Sequence, residues 1–208
     1  NNKNEFQNIQ GICFLDKNQK FVFTGYHNPP SAKETKWADY SILLPDGSFS
    51  YYITNTPEWY LDYGFEIPTH MRGKRCATVQ VAKGCPNRCT FCHRWERGYM
   101  ARPVDQIVDH IQYLKDQYNV GFISMGDESF GSNRKTTMEL ASHLGKMGII
   151  WRAGGVRAKS VDRDVLMHWK ENGCVAVAYG IESGSQTILD VMEKNTTVEI
   201  NFNAIKWT

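Results

Sequence analysis

Apolar and polar residues alternate across residues 11–24, on both sides of Asp16-Lys17-Asn18-Gln19, which predicts a β-hairpin. A second hairpin is expected around Pro45-Asp46-Gly47, between Ile42-Leu43-Leu44 and Tyr51-Tyr52-Ile53. Residues 55–75 are rich in aromatics and proline but have no period, so residues 1–75 read as a β-rich lead-in. From about residue 77 the pattern changes. Short apolar runs at 78–82, 121–125, 149–152 and 175–179 alternate with amphipathic stretches. The first helix opens at Pro103 and carries Val104, Ile107, Val108, Ile111 and Leu114 at helical spacing. The second covers 134–147 and stops at Gly148. The third covers 162–172, stops at Gly173 and turns Val165, Leu166 and Trp169 inward. A short helix carries Ile188, Leu189 and Met192, and Thr196-x-x-Glu199 reads as the capping box of a last one.

A strand followed by a helix, four times over, predicts an α/β fold with a parallel sheet, at a spacing near the ~30 residues of a βαβ unit. Four units are too few to close a barrel, so either the sheet is open or the chain stops before a barrel does. The chain starts without Met, and Ala204-Ile205-Lys206-Trp207-Thr208 falls inside a helical pattern. It therefore reads as a piece of a longer protein, expected to expose an unpaired strand edge and to be poorly soluble alone.

Composition narrows the class. At 208 residues the chain can bury about 70% of its unfolded surface in one domain. It is 41% hydrophobic and 22% charged, the profile of a soluble globular protein. Its 24 basic and 22 acidic residues are interspersed, so no basic face for nucleic acid or an anionic membrane stands out. No apolar stretch approaches the ~18 residues of a membrane span, and the polar start Asn1-Asn2-Lys3-Asn4-Glu5 is not a signal peptide, so a cytoplasmic location is expected.

Three of the six cysteines lie within eight residues, in Gly84-Cys85-Pro86-Asn87-Arg88-Cys89-Thr90-Phe91-Cys92-His93. That C-x3-C-x2-C spacing reads as a ligand set, whereas Cys13 and Cys174 sit in apolar runs as buried small residues and Cys76 stands alone. Three thiolates can hold an iron–sulfur cube with one iron left open, which makes a reactive site. They can also hold structural zinc, with His93 or a distant residue as fourth ligand. Cys89-Thr90-Phe91-Cys92-His93 formally matches the C-x-x-C-H of haem attachment, but that reading leaves Cys85 without a role.

In parallel α/β folds, functional groups collect beyond the C-terminal ends of strands. The cysteine run follows the first strand, Gly126-Asp127-Glu128 the second, Gly154-Gly155-Val156-Arg157 the third and Gly180-Ile181-Glu182-Ser183 the fourth. Singly, Asp127 and Glu128 would suit a helix start, Arg157 a solvated position and Glu182-Ser183 an N-cap. Helix caps have no need to share a rim with three thiols.

The cysteine run with Arg94, then Phe122-Ile123-Ser124-Met125-Gly126-Asp127-Glu128-Ser129-Phe130, then Gly180-Ile181-Glu182-Ser183-Gly184-Ser185, resembles the radical S-adenosylmethionine superfamily. Within it the chain is most similar to the branch whose members carry an N-terminal cobalamin-binding domain. The resemblance implies a partial (β/α) barrel over residues 76–208, with 1–75 as the segment leading into it. It implies that Cys85, Cys89 and Cys92 ligate a [4Fe–4S] cluster whose fourth iron takes the amino and carboxylate groups of S-adenosylmethionine. Phe91 would lie beside the adenine, and Gly126-Asp127-Glu128 would receive the methionine ammonium, with Asp127 standing where the family often has glycine. Arg157 would meet the carboxylate, and Glu182 and Ser183 the ribose. The implied activity is reductive cleavage of S-adenosylmethionine to a 5′-deoxyadenosyl radical, for a cobalamin-dependent methyl transfer or cyclisation on a small molecule, with flavodoxin or ferredoxin as electron donor. No Asp-x-His-x-x-Gly cobalamin motif occurs, since the early histidines, His27 and His70, stand in other contexts. Two rival expectations are a non-catalytic zinc or iron–sulfur module and a relative that keeps the cluster only for electron transfer.

Overall fold

The computed structural model describes residues 6–26, 31, 34, 36–45, 47–55, 57–93 and 98–208, with residues 58 and 59 as backbone only. The polar start 1–5, His27, the turn residue Asp46, the motif flank Arg94 and the Trp59 side chain lie outside the described residues.

The chain divides into two compact units, Asn1–Ser31 and Ala32–Thr208. In the first, the predicted hairpin forms from β1 (Cys13–Leu15) and β2 (Phe21–Phe23), with Phe14 opposite Val22. Asp16 builds its turn: Oδ1 accepts from the Asn18 and Lys20 N–H groups at 2.8 and 2.9 Å. A two-stranded ribbon has little interior, and Cys13 is exposed where the sequence suggests a buried residue.

Among the described residues the second predicted hairpin does not form. A 3-10 turn over Tyr40–Leu43 and the helical turn α1 (Phe49–Tyr52) stand in its place. The main core claims these residues: Tyr40, Leu43 and Phe49 all pack against it, and Phe49 meets Tyr118 with ring centroids 4.8 Å apart. Tyr40 and Leu43 share a face because they are three apart, as a helical turn requires and a strand forbids. Beyond α1, β3 (Ile53–Thr54) leads to α2 (Glu58–Asp62) and then to β4 (Arg75–Val79), with which β3 pairs antiparallel. Tyr60 packs on Phe122 at 5.3 Å and on Phe65 at 5.2 Å, so this aromatic stretch covers one face of the sheet.

The remaining elements are β5 (Ala82–Gly84), β6 (Tyr99–Ala101), α3 (Val104–Tyr118), β7 (Val120–Met125), α4 (Arg134–Met147), β8 (Ile150–Val156), α5 (Arg163–Glu171), β9 (Cys174–Tyr179), α6 (Gln186–Val191) and α7 (Val198–Trp207). The main sheet has the order β3-β4-β7-β8-β9 and is parallel from β4 onward. All four predicted strand–helix units are present, in an open, partial barrel-like sheet. The predicted run 78–82 splits in two, since β4 ends at Val79 and β5 starts at Ala82. The α7 cap is Thr197, whose side chain accepts from Ile200 N–H at 3.1 Å; the hydroxyl of Thr196 meets Asn201 instead.

Central β7 is buried along its whole length. Ile107, Ile111 and Leu114 of α3, Leu140 and Leu144 of α4 and Val165 and Trp169 of α5 complete the core beside it. Each such side chain contributes about 1.5–3 kcal/mol relative to exposure. Phe130, in the loop after β7, packs between Trp151 and Trp169 at 5.9 and 5.2 Å. That aromatic anchor fixes the backbone on which Asp127, Glu128 and Ser129 stand.

Candidate active site at the strand ends

Pairing of β5 with β6, Gly84 opposite Tyr99, brings the two ends of the cysteine loop together. The loop is tied to the end of α6 by the Thr90 N–H, which donates to the Met192 carbonyl at 3.0 Å. Cys85 and Cys89 are half-buried, Cys92 is exposed, and all three are free thiols. Burial pushes the Cys85 thiol up, but other groups outweigh it and hold the thiol below its ordinary range. These are the Asn87 N–H and side-chain amide, the Ser129 hydroxyl and the Arg157 charge. Ser129 comes from the end of β7 and Arg157 from the end of β8, so two strand ends favour the thiolate of one cysteine. Among the described residues no three Cys, His, Asp or Glu side chains converge on one point as a single-ion centre needs.

At the end of β7 the two carboxylates diverge. Asp127 is 7% exposed, and its Oδ1 accepts from the Val81 N–H at 2.7 Å, clamping the junction between β4 and β5. Its Oδ2 is buried with no hydrogen-bond partner among the described residues. Burial pushes this carboxyl up to about 7, against the opposing pull of the Val81 N–H and the Arg102 charge. Glu128 is exposed, and among the described residues no hydrogen bond or ion pair holds it. Gly126 permits close approach, since a Cβ there would come within 2.6 Å of Thr78 Cγ2. Gly155 of β8 has a φ of +65°, and a Cβ on it would overlap the Asp127 carbonyl oxygen.

The ends of β8 and β9 meet through a residue the sequence reading did not single out. Arg157 Nη2 donates to the Lys194 carbonyl at 2.5 Å. Lys194 Nζ in turn pairs with Glu182 Oε1 at 2.7 Å and stands 5.5 Å from the ring centroid of Phe91, which is 52% exposed. Glu182 has a φ of 63°, and the Ser183 N–H donates back to the Ile181 carbonyl at 2.8 Å, a γ-turn about the glutamate. The Ser183 hydroxyl accepts from the Ser185 N–H at 3.1 Å. Phe91, Arg157 and Glu182 are thus joined through Lys194, and the Arg157 charge also acts on Cys85. Ser129 lies inside a motif the sequence displays, whereas nothing in the pattern around Lys194 marks it.

The chain is 35% identical over 160 residues to an anaerobic magnesium-protoporphyrin IX monomethyl ester cyclase of Rubrivivax gelatinosus, covering 73% of this chain and 28% of that protein. It is 26% identical over 163 residues to a cytidylyl-2-hydroxyethylphosphonate methyltransferase of Streptomyces wedmorensis, covering 73% of this chain and 30% of that one. Among solved structures, the cobalamin-dependent S-adenosylmethionine radical enzyme OxsB, with aqua-cobalamin and S-adenosylmethionine bound, superimposes with a TM-score of 0.69 at 22% identity. That match covers 95% of this chain and 27% of OxsB, so the chain spans little more than a quarter of these proteins. The family model described as the radical SAM superfamily matches residues 79–208, the stretch that holds every strand-end residue above, and the chain belongs to that superfamily.

Proposed function

We propose that residues 76–208 are the S-adenosylmethionine-cleaving core of a cobalamin-associated methyltransferase or cyclase, with residues 1–75 leading into it. The observation that carries the reading is the C-x3-C-x2-C loop itself, closed by the pairing of β5 with β6 and tied to the end of α6 by the Thr90 N–H, inside the stretch 79–208 that matches the radical SAM superfamily. Cys85, Cys89 and Cys92 would hold a [4Fe–4S] cluster. When bound, cluster and S-adenosylmethionine supply a one-electron cleavage of the S–C5′ bond that yields methionine and a 5′-deoxyadenosyl radical, the electron coming from a flavodoxin- or ferredoxin-type donor.

The chain's own groups suit the charges of that ligand. Glu128, exposed beside Gly126, would accept the methionine ammonium, while Asp127 is committed to the Val81 N–H and serves as a clamp under the cysteine loop. Arg157 spends one guanidinium nitrogen on the Lys194 carbonyl and keeps others for the ligand carboxylate. Phe91 would wall the adenine, and Glu182 and Ser183 would accept the ribose hydroxyls. A thiolate-held cluster of this kind fits a reducing compartment such as the cytoplasm. The substrate is a small molecule, chosen by groups beyond these strand ends.

Anaerobic reconstitution with iron and sulfide tests the reading. The chain is expected to take up ~4 Fe and, with a strong reductant, to form 5′-deoxyadenosine and methionine from S-adenosylmethionine. The triple substitution Cys85→Ala, Cys89→Ala, Cys92→Ala should abolish both. One tightly held zinc in place of iron, or cleavage that survives the triple substitution, would overturn it.

A further inference from the structure

Lys194 is 7% exposed, an uncommon place for an ammonium group, and it lies in the connection between α6 and α7. Among the described residues, three of the five non-glycine residues with positive φ meet around it: Glu193 at 50°, Asn195 at 52° and its ion-pair partner Glu182 at 63°. Such conformations are unfavourable for residues with a Cβ and persist where the surroundings impose them. A bridge serving stability alone would have no need of a strained carboxylate or of an exposed aromatic ring, yet Lys194 contacts both, with Nζ 2.7 Å from Glu182 Oε1 and 5.5 Å from the Phe91 centroid. Its backbone carbonyl also receives Arg157. One residue therefore joins the cysteine loop, the end of β8 and the turn after β9.

The geometry points to Lys194 as a positioning residue for the nucleoside half of S-adenosylmethionine. It fixes the Glu182 carboxylate and the Phe91 ring before the ligand arrives, and so removes an ordering cost from binding. Holding Oε1 turns the carboxylate so that Oε2 is the oxygen presented to a hydroxyl donor. The inference rests on the proposed reading of the strand ends as an S-adenosylmethionine pocket.

The test uses the reconstituted full chain with Lys194→Met and Lys194→Arg. Iron content, affinity for S-adenosylmethionine and affinity for L-methionine, which lacks the nucleoside, are read from the cluster's spectrum. Affinity for S-adenosylhomocysteine is read by calorimetry. Lys194→Met is expected to keep its iron and its methionine affinity while binding both nucleoside ligands about tenfold or more weakly. KM for S-adenosylmethionine should rise accordingly with kcat within about threefold of wild type, and Lys194→Arg should recover part of the loss. Equal weakening of methionine and S-adenosylmethionine, unchanged nucleoside affinity, or loss of iron in both variants would overturn the assignment. A wild-type chain that takes no iron or binds no S-adenosylmethionine fails the underlying reading at the outset, before the variants are compared.

Discussion

Asp127 carries a carboxyl group into a largely buried site, and its ionisation there has a cost that pH exposes. Burial raises its folded-state value from 3.8 to about 7, so between those limits the folded chain holds a proton that the unfolded chain has released. Stability contributed at this position therefore falls as pH rises from about 4 to about 7 and is level above that, a total on the order of 4 kcal/mol. Asp127→Asn keeps an acceptor for the Val81 N–H and cannot ionise. Urea unfolding of both proteins between about pH 4 and about pH 8 should show wild type losing stability relative to the variant across that window, by ~2–4 kcal/mol. Parallel curves would mean that the carboxyl is not desolvated in the fold. The three-thiol candidate could be read from the sequence because its spacing is that of a ligand set. The inward turn of Asp127 was not, since it depends on a backbone donor 46 residues away, and Lys194 gains its meaning from a carboxylate 12 residues away.

Helices reveal themselves through their ends, and the core helices were legible for that reason. Pro103 opens α3, while α4 runs from the Asn133 cap to Gly148 at a φ of 68°, and α5 starts at Asp162. The lead-in was less legible because Phe49 and Tyr40 owe their conformation to a core built from residues far along the chain, which overrides local alternation. Asp162 separates two contributions that a cap can make. Its Oδ1 accepts from the Val165 N–H at 2.9 Å, and its Oδ2 pairs with Arg134, a residue with half its side chain in solvent. An exposed ion pair contributes ~0–1 kcal/mol, and a cap about 1 kcal/mol. Asp162→Ala should lower the urea midpoint by the equivalent of ~1–1.5 kcal/mol, whereas Asp162→Asn, which keeps the cap, should stay within ~0.5 kcal/mol of wild type. If asparagine costs as much as alanine, the ion pair rather than the cap holds the start of α5.

For the whole molecule, the decisive feature is where the sheet stops. Four strand–helix units were legible because each repeats the same change of period, and among the described residues the sheet they build ends in β9, paired only with β8. Beside that edge a groove of about 410 Å³ is lined by Phe65, Leu166, Trp169, Val175, Val177 and Trp207. Unpaired strand N–H and C=O groups next to an apolar groove form a template for another strand. The 208-residue chain is therefore expected to associate reversibly through β9 at micromolar concentrations. Ala178 is exposed on this strand, and Ala178→Lys places there the kind of charge that protects natural edges. Sedimentation velocity from about 1 to about 100 µM should show wild type growing heavier with concentration and the variant remaining a monomer. If both associate alike, the contact lies elsewhere, and the exposed apolar side chains of α7, Phe202 and Ile205, are the next surface to charge.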